Sequence, residues 1–127
     1  MKHLTRLPEA ALTVLRAVWH LQWPAATGAI RARLEQERNW NLSALQTLLA
    51  RLTERGFLAA GKEGRQNVYT PLVSEGEYLA FENAPFLKGR GLPGLVATLY
   101  ESHSIDREDL EQLRAFLDQA IGEEEGR

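Results

Sequence analysis

Apolar residues recur at helical spacing in three successive blocks of the first half of the chain, and then the period shortens. Ala11, Leu12, Leu15, Val18 and Trp19 share one side of a predicted helix that opens at Pro8 and runs to about residue 22. Proline suits a first turn because the N–H it lacks would be unpaired there in any case. Trp23-Pro24 stops this helix, since a residue before proline is pushed out of the helical region. Thr27 is placed to N-cap a second helix over roughly 28–38, with Ile30 and Leu34 inward. Asn39-Trp40-Asn41 leads to a third helix over 42–55, striped by Leu45, Leu48, Leu49 and Leu52, with Gly56 as its left-handed stop. Residues 57–72 then read as a hairpin: Phe57 and Leu58, a Glu63-Gly64 turn signal, and Val68, Tyr69 and Leu72. Its tip is polar and basic, carrying Lys62, Arg65, Gln66 and Asn67.

The second half is helical throughout. Ser74 and Glu77 have the spacing of a capping box and start a fourth helix bearing Tyr78, Leu79, Phe81, Phe86 and Leu87, which Pro85 is expected to bend or split. Residues 88–94 read as a breaker-rich link before a short helix over about 95–101. Asp106 caps a last helix to about residue 121, and the acidic tail after it reads as frayed. These short helices follow a complete small domain, so their apolar sides need cover. Each buried leucine or phenylalanine contributes about 1.5–3 kcal/mol. Leu110, Leu113, Phe116, Leu117 and Ile121 must therefore fold back on the domain or meet a second copy, and dimerisation is the sharper expectation. The predicted division is 1–73 and 74–127. Trp19 and Trp40 are expected in the core, while Trp23 has no clear place.

Charge changes this picture. The chain has 127 residues and a formal net charge of −2, but the charge is unevenly spread. Residues 1–72 hold ten Lys and Arg against five Glu, whereas 73–127 hold five Lys and Arg against twelve acids. Such asymmetry fits one half facing a polyanion and the other kept away from it. There is no cysteine, which removes disulfides, thiolate metal sites and cysteine nucleophiles. No apolar run approaches the roughly 18 residues that span a bilayer, and no signal peptide follows Met1, so a cytoplasmic protein is expected. His3, His20 and His103 are scattered with no second ligand at metal spacing. Neither a catalytic set nor a cofactor motif is legible, and neither an enzyme nor a metal site is expected.

The third helix gives the sharpest signal. With Leu45 taken as zero on a helical wheel, Leu48, Leu49 and Leu52 fall within about 60° of it. Ser43, Thr47, Ala50 and Glu54 point the other way, flanked by Gln46 and Arg51. An ordinary solvated side is the plain alternative, but solvated sides usually carry Lys and Glu at i,i+4 spacing. Short polar residues without an acid suit a helix whose N-terminal half reaches base edges. With a helix before it and a basic hairpin after it, the pattern is a winged helix-turn-helix in which Lys62 and Arg65 reach the DNA backbone. The fold class expected is mainly α with a small β-hairpin: a winged-helix DNA-binding domain followed by a helical dimerisation region. A winged helix serving as a protein-interaction module without DNA is the competing reading, and the acidic net charge favours it.

Several stretches together resemble the penicillinase-repressor family, the BlaI/MecI/CopY group of bacterial winged-helix repressors. They are LPEAALTVLRAVW, PAATGAIRARL, SALQTLLARLTERGFL after Trp40, EGR, VYTPLVSEGEYLA and DREDLEQLRAFL, together covering roughly residues 5 to 118. The most specific are the run over 40–52 and VYTPLVSEGEYLA. The resemblance implies a homodimer that represses transcription from palindromic operators. By position it places Ser43, Ala44, Gln46, Thr47 and Arg51 of the third helix on DNA, and Arg65 on the wing. Relatives often have Lys at the position of Ser43 and Thr at that of Ala44, which leaves the operator sequence open. Antibiotic-responsive relatives are released when a membrane sensor protease cuts an Asn-Phe bond, for which this chain has Thr98-Leu99. Copper-responsive relatives carry a cysteine-rich metal site that this chain lacks.

Overall fold

The computed structural model describes residues 4–127, and His3 lies outside them. Nine elements follow in order: α1 (Glu9–Trp19), β1 (Ala25–Ala26), α2 (Thr27–Glu35), α3 (Leu42–Glu54), β2 (Leu58–Glu63), β3 (Gln66–Pro71), α4 (Glu75–Gly89), α5 (Gly91–Glu101) and α6 (Arg107–Glu125). Two compact units result, the first closing with Glu82 and the second running Asn83–Arg127. The expected boundary after residue 73 therefore falls early, because Tyr78 of α4 is fully buried in the first unit.

In that unit Val14, Leu15 and Val18 of α1, Ile30 and Leu34 of α2, and Leu45, Leu49 and Leu52 of α3 meet in one core. Trp19 and Trp40 are buried in it, as their flanking patterns predict. Arg38 lies over the Trp40 ring, its guanidinium carbon 4.9 Å from the centroid. Trp23 is half exposed and donates from Nε1 to the Val18 carbonyl at 2.7 Å. Tyr78 meets Trp19 and Phe57 at ring-centroid distances of 6.2 and 6.0 Å. Its hydroxyl accepts a hydrogen bond from the buried Leu7 N–H at 2.9 Å, and Trp19 Nε1 donates to the Val73 carbonyl at 2.9 Å. The first turn of α4 is held by the predicted capping box. Ser74 Oγ accepts from Glu77 N–H, and Glu77 Oε1 accepts from Ser74 N–H, both at 3.0 Å.

The sheet is antiparallel with order β1-β3-β2. Ala25 and Ala26 pair with Tyr69 and Val68, and β2 pairs with β3 from Leu58↔Pro71 to Glu63↔Gln66. Gly64 takes φ +65° in the turn, a conformation that costs glycine little. β1 corrects the expected start of α2. Ala26, extended and paired with β3, takes the N-cap position, so Thr27 is the first helical residue and caps nothing. α1 and α2 also stop short, at Trp19 and Glu35.

The second unit departs most from expectation. α4 continues through Pro85 to Gly89 without a break, since proline removes one N–H but need not end the helix. The anticipated link over 88–94 shrinks to Arg90, because Pro93 falls in the first turn of α5, where a missing N–H is harmless. Thr98 and Leu99 are both helical. Asp106 caps α6 as expected: its Oδ1 accepts from Asp109 N–H at 3.0 Å, and Asp109 Oδ2 accepts from Asp106 N–H at 2.9 Å. The Asp109 backbone N–H holds the exposed Asp106 carboxyl below the usual range. α6 runs on to Glu125, so the tail expected to fray is helical. Leu110, Leu113 and Leu117 line an apolar groove of about 530 Å³ together with Leu92, Val96 and Tyr100 of α5. Phe116 and Ile121 stand outside it, 64% and 51% exposed. Among the described residues no helix is long and apolar enough to cross a membrane.

Tyr78→Phe keeps the ring and leaves the buried Leu7 N–H unpaired, so it should destabilise the fold by about 1–3 kcal/mol. Urea unfolding of the full chain is the measurement, and an unchanged midpoint would mean that this bond contributes nothing.

Candidate nucleic-acid interface

α3 begins and ends under tight local control. Asn41 is extended, and its Oδ1 accepts from Ala44 N–H at 3.1 Å, capping the helix with a neutral group. No acid occupies the first turn. The partial positive charge of the helix N-terminus is therefore not answered by a carboxylate on its own helix. At the other end Gly56 adopts φ +84°, and Phe57 N–H donates to the Leu52 carbonyl at 2.9 Å. Buried Phe57 then anchors the strand that becomes the hairpin.

With Leu45, Leu49 and Leu52 buried, the opposite side of α3 is fixed outward. Ser43, Ala44, Gln46, Thr47 and Arg51 are all exposed. Thr47 Oγ1 donates to the Ser43 carbonyl at 3.0 Å, whereas the side chains of Ser43 and Gln46 make no hydrogen bond among the described residues. Arg51 sits on the α1 side of the helix, at the rim of a small cleft with Leu7 and Pro8. Gln46 sits on the other side, in a concavity of about 370 Å³ shared with Thr27, Arg31, Gln66 and Asn67. Lys62 lies on β2 opposite Asn67, and Arg65 is in the hairpin turn; both are exposed. Neither cation is paired with a carboxylate among the described residues.

All seven residues singled out from the sequence thus lie on the exposed parts of α3 and the hairpin. The sequence reading did not join Thr27 and Arg31 to them, because the closeness of the α2 start to the hairpin depends on β1. Two alanines carry no periodic signal that would reveal that strand. Arg31 is also partly engaged, with Nε 3.0 Å from Glu35 Oε1. Among the described residues no group of His, Asp and Glu is placed to hold a metal ion, and His20 approaches only Glu75, at 3.4 Å.

Comparison with known proteins follows the same lines. A family model described as penicillinase repressor matches residues 7–119. A penicillinase repressor of Bacillus licheniformis is 28% identical over 122 residues, which cover 94% of each chain. The solved DNA-binding domain of the repressor BlaI is similar with a TM-score of 0.53 and 33% identity, covering 61% of this chain and 94% of that one. A monomeric form of Bacillus licheniformis BlaI, solved in complex with the blaP half-operator, is similar with a TM-score of 0.50 and 34% identity over the same shares. The architecture of the first unit is accordingly that of a winged-helix DNA-binding domain.

Loss of the neutral cap should register in stability. Asn41→Ala is expected to cost about 1 kcal/mol, and Asn41→Asp to keep most of it, both read from thermal unfolding. Equal losses in the two variants would contradict a capping role.

Proposed function

The chain belongs to the penicillinase repressor family, whose model spans most of its length, and on that premise we propose that it is a homodimeric repressor of transcription. It binds a palindromic operator, with α3 in the major groove and the hairpin on the backbone. The observation that carries this reading is the outer side of α3. It is exposed, neutral at its cap and free of acid as far as Arg51, and it is followed by a hairpin that presents Lys62 and Arg65. Ser43, Ala44, Gln46, Thr47 and Arg51 meet the bases, while Lys62 and Arg65 meet phosphates. The first unit, closing with Glu82, carries DNA binding and residues 83–127 dimerisation, and the protein acts in the cytoplasm without a cofactor. The solved complex of Bacillus licheniformis BlaI with a half-operator supports the DNA partner.

Dimerisation rests on the apolar residues that α6 leaves uncovered. Phe116 and Ile121 are 64% and 51% exposed, and Leu117, 39% exposed, adds to the apolar surface of the same helix. A two-fold dimer would present two α3 helices to two half-sites. Release by a membrane sensor protease receives no support from Thr98-Leu99, which replaces the Asn-Phe bond of the antibiotic-responsive relatives.

Gel mobility shift against the promoter DNA of its own gene tests the reading. With about 6–10 phosphates neutralised per dimer, affinity should fall roughly 10³–10⁵-fold between 50 and 200 mM salt. Reversing charge at Lys62 and Arg65 should weaken binding and flatten that dependence. Arg51→Ala should weaken specific binding more than non-specific binding. Function that survives charge reversal without DNA binding would favour a protein-interaction module instead.

Light scattering should give twice the chain mass at micromolar concentration, and Phe116→Asp combined with Ile121→Asp should give a monomer that keeps its helicity. A wild-type monomer at that concentration would contradict the dimer.

A further inference from the structure

The side of the first unit formed by α1 and α2 carries charge that the operator-binding reading does not use. Glu9, Thr13 and Arg16 of α1 line a cleft of about 290 Å³ with Arg33 of α2 and Glu37 just beyond it, over a floor of buried Ala17 and Leu34. Glu9, Arg16, Arg33 and Glu37 are exposed, and none has an ion pair among the described residues. Their signs are sorted along the cleft. Glu9 and Glu37 also meet in an adjoining cleft with Ala10 and Arg38, so the two acids share one end, and Arg38 there is drawn over the Trp40 ring. Arg16 and Arg33 line only the first cleft, together with His20, which is engaged by Glu75. Glu9 and Arg16 stand seven residues apart, two turns and about 10 Å along one side of α1. Close to midway is Thr13, whose Oγ1 donates to the Glu9 carbonyl at 2.9 Å and so has no O–H to spare, with Ala10 and Ala17 beside it. A surface with opposite charges at equal distances from a small centre is complementary to itself under a two-fold rotation. None of the seven residues assigned to DNA lines either cleft.

We propose that this side is a contact between two copies of the chain that belong to neighbouring operator-bound dimers, an inference that rests on the operator-binding reading. Two α1 helices lie antiparallel about an axis near Thr13. Glu9 of each copy meets Arg16 of the other, and Glu37 meets Arg33. Exposed ion pairs are individually weak, so the contact forms on DNA, where two bound dimers are held close, and it couples the filling of adjacent sites.

The test uses the full chain and the duplex sequence that it enriches from a randomised pool. Binding is titrated on duplexes carrying one copy of that sequence, and on duplexes carrying two copies whose spacing is varied over one helical turn of about 10.5 base pairs. At the favoured spacing, filling one site should tighten the other about fivefold to twentyfold. Glu9→Arg alone and Arg16→Glu alone should each abolish that coupling, and the two substitutions in one chain should restore it, because the exchanged pair is again complementary. Arg33→Glu and Glu37→Arg form an independent set that should behave in the same way. Affinity for the single-copy duplex, within about twofold of wild type, shows that each variant is folded. Independent filling of the two sites by wild type at every spacing would overturn the proposal and leave DNA binding standing. Coupling that survives the single substitutions, or that neither exchanged pair restores, would do the same. Absence of binding to any duplex at 50 mM salt would instead remove the operator reading, and this proposal with it.

Discussion

Tyr78 joins parts of the first unit that are far apart in sequence. Its ring fills the space between Trp19 and Phe57, and its hydroxyl satisfies the Leu7 N–H just ahead of α1. Phe57 in turn follows directly on α3 and bonds back to Leu52. The C-terminal end of α3 is thus fixed from inside the core. Its N-terminal half is positioned by Leu45 and Leu49, which leave the opposite side to solvent. Exposure of the outer side of α3 is therefore a consequence of how firmly the other side is held.

Electrostatics reinforces this division of labour. Asn41 caps α3 without charge, whereas α6 opens on Asp106, Glu108 and Asp109. Both caps hold backbone N–H groups, yet only the first leaves the end of its helix attractive to an anion. The net charge of −2 averages two different surfaces, and it misleads when taken as a property of the whole chain.

Much of this was legible in the sequence, and the misses have physical causes. Leucine spacing located α3, and Gly56, Ser74 and Asp106 marked the stops and starts beside α3, α4 and α6, because caps and left-handed stops are local features. β1 was invisible, since two alanines are held there by pairing with Val68 and Tyr69 and not by any tendency of their own. The place of Tyr78 was hidden for a similar reason: the pattern of α4 shows that the ring is apolar, not which core receives it. Proline was overweighted at Pro93, where helix begins just before the residue, and Pro85 does not split α4. The exposed side of α3 could be read because a wheel needs only one helix. The nearness of Thr27 and Arg31 to Gln46 could not, because it depends on three elements at once.

The three-stranded part of the sheet is short. β1 meets β3 only at Tyr69 and Val68, so from Lys62↔Asn67 outward the hairpin is a free two-stranded ribbon. An insertion at Gly64-Arg65 would lengthen that ribbon and disturb nothing else. One extra residue between Trp23 and Thr27 would slip Ala25 and Ala26 against β3, turn their side chains to the wrong face and displace the start of α2. The two loops therefore have opposite tolerance for changes in length. A longer hairpin loop extends only the ribbon, whereas a longer connection before Thr27 moves the start of α2.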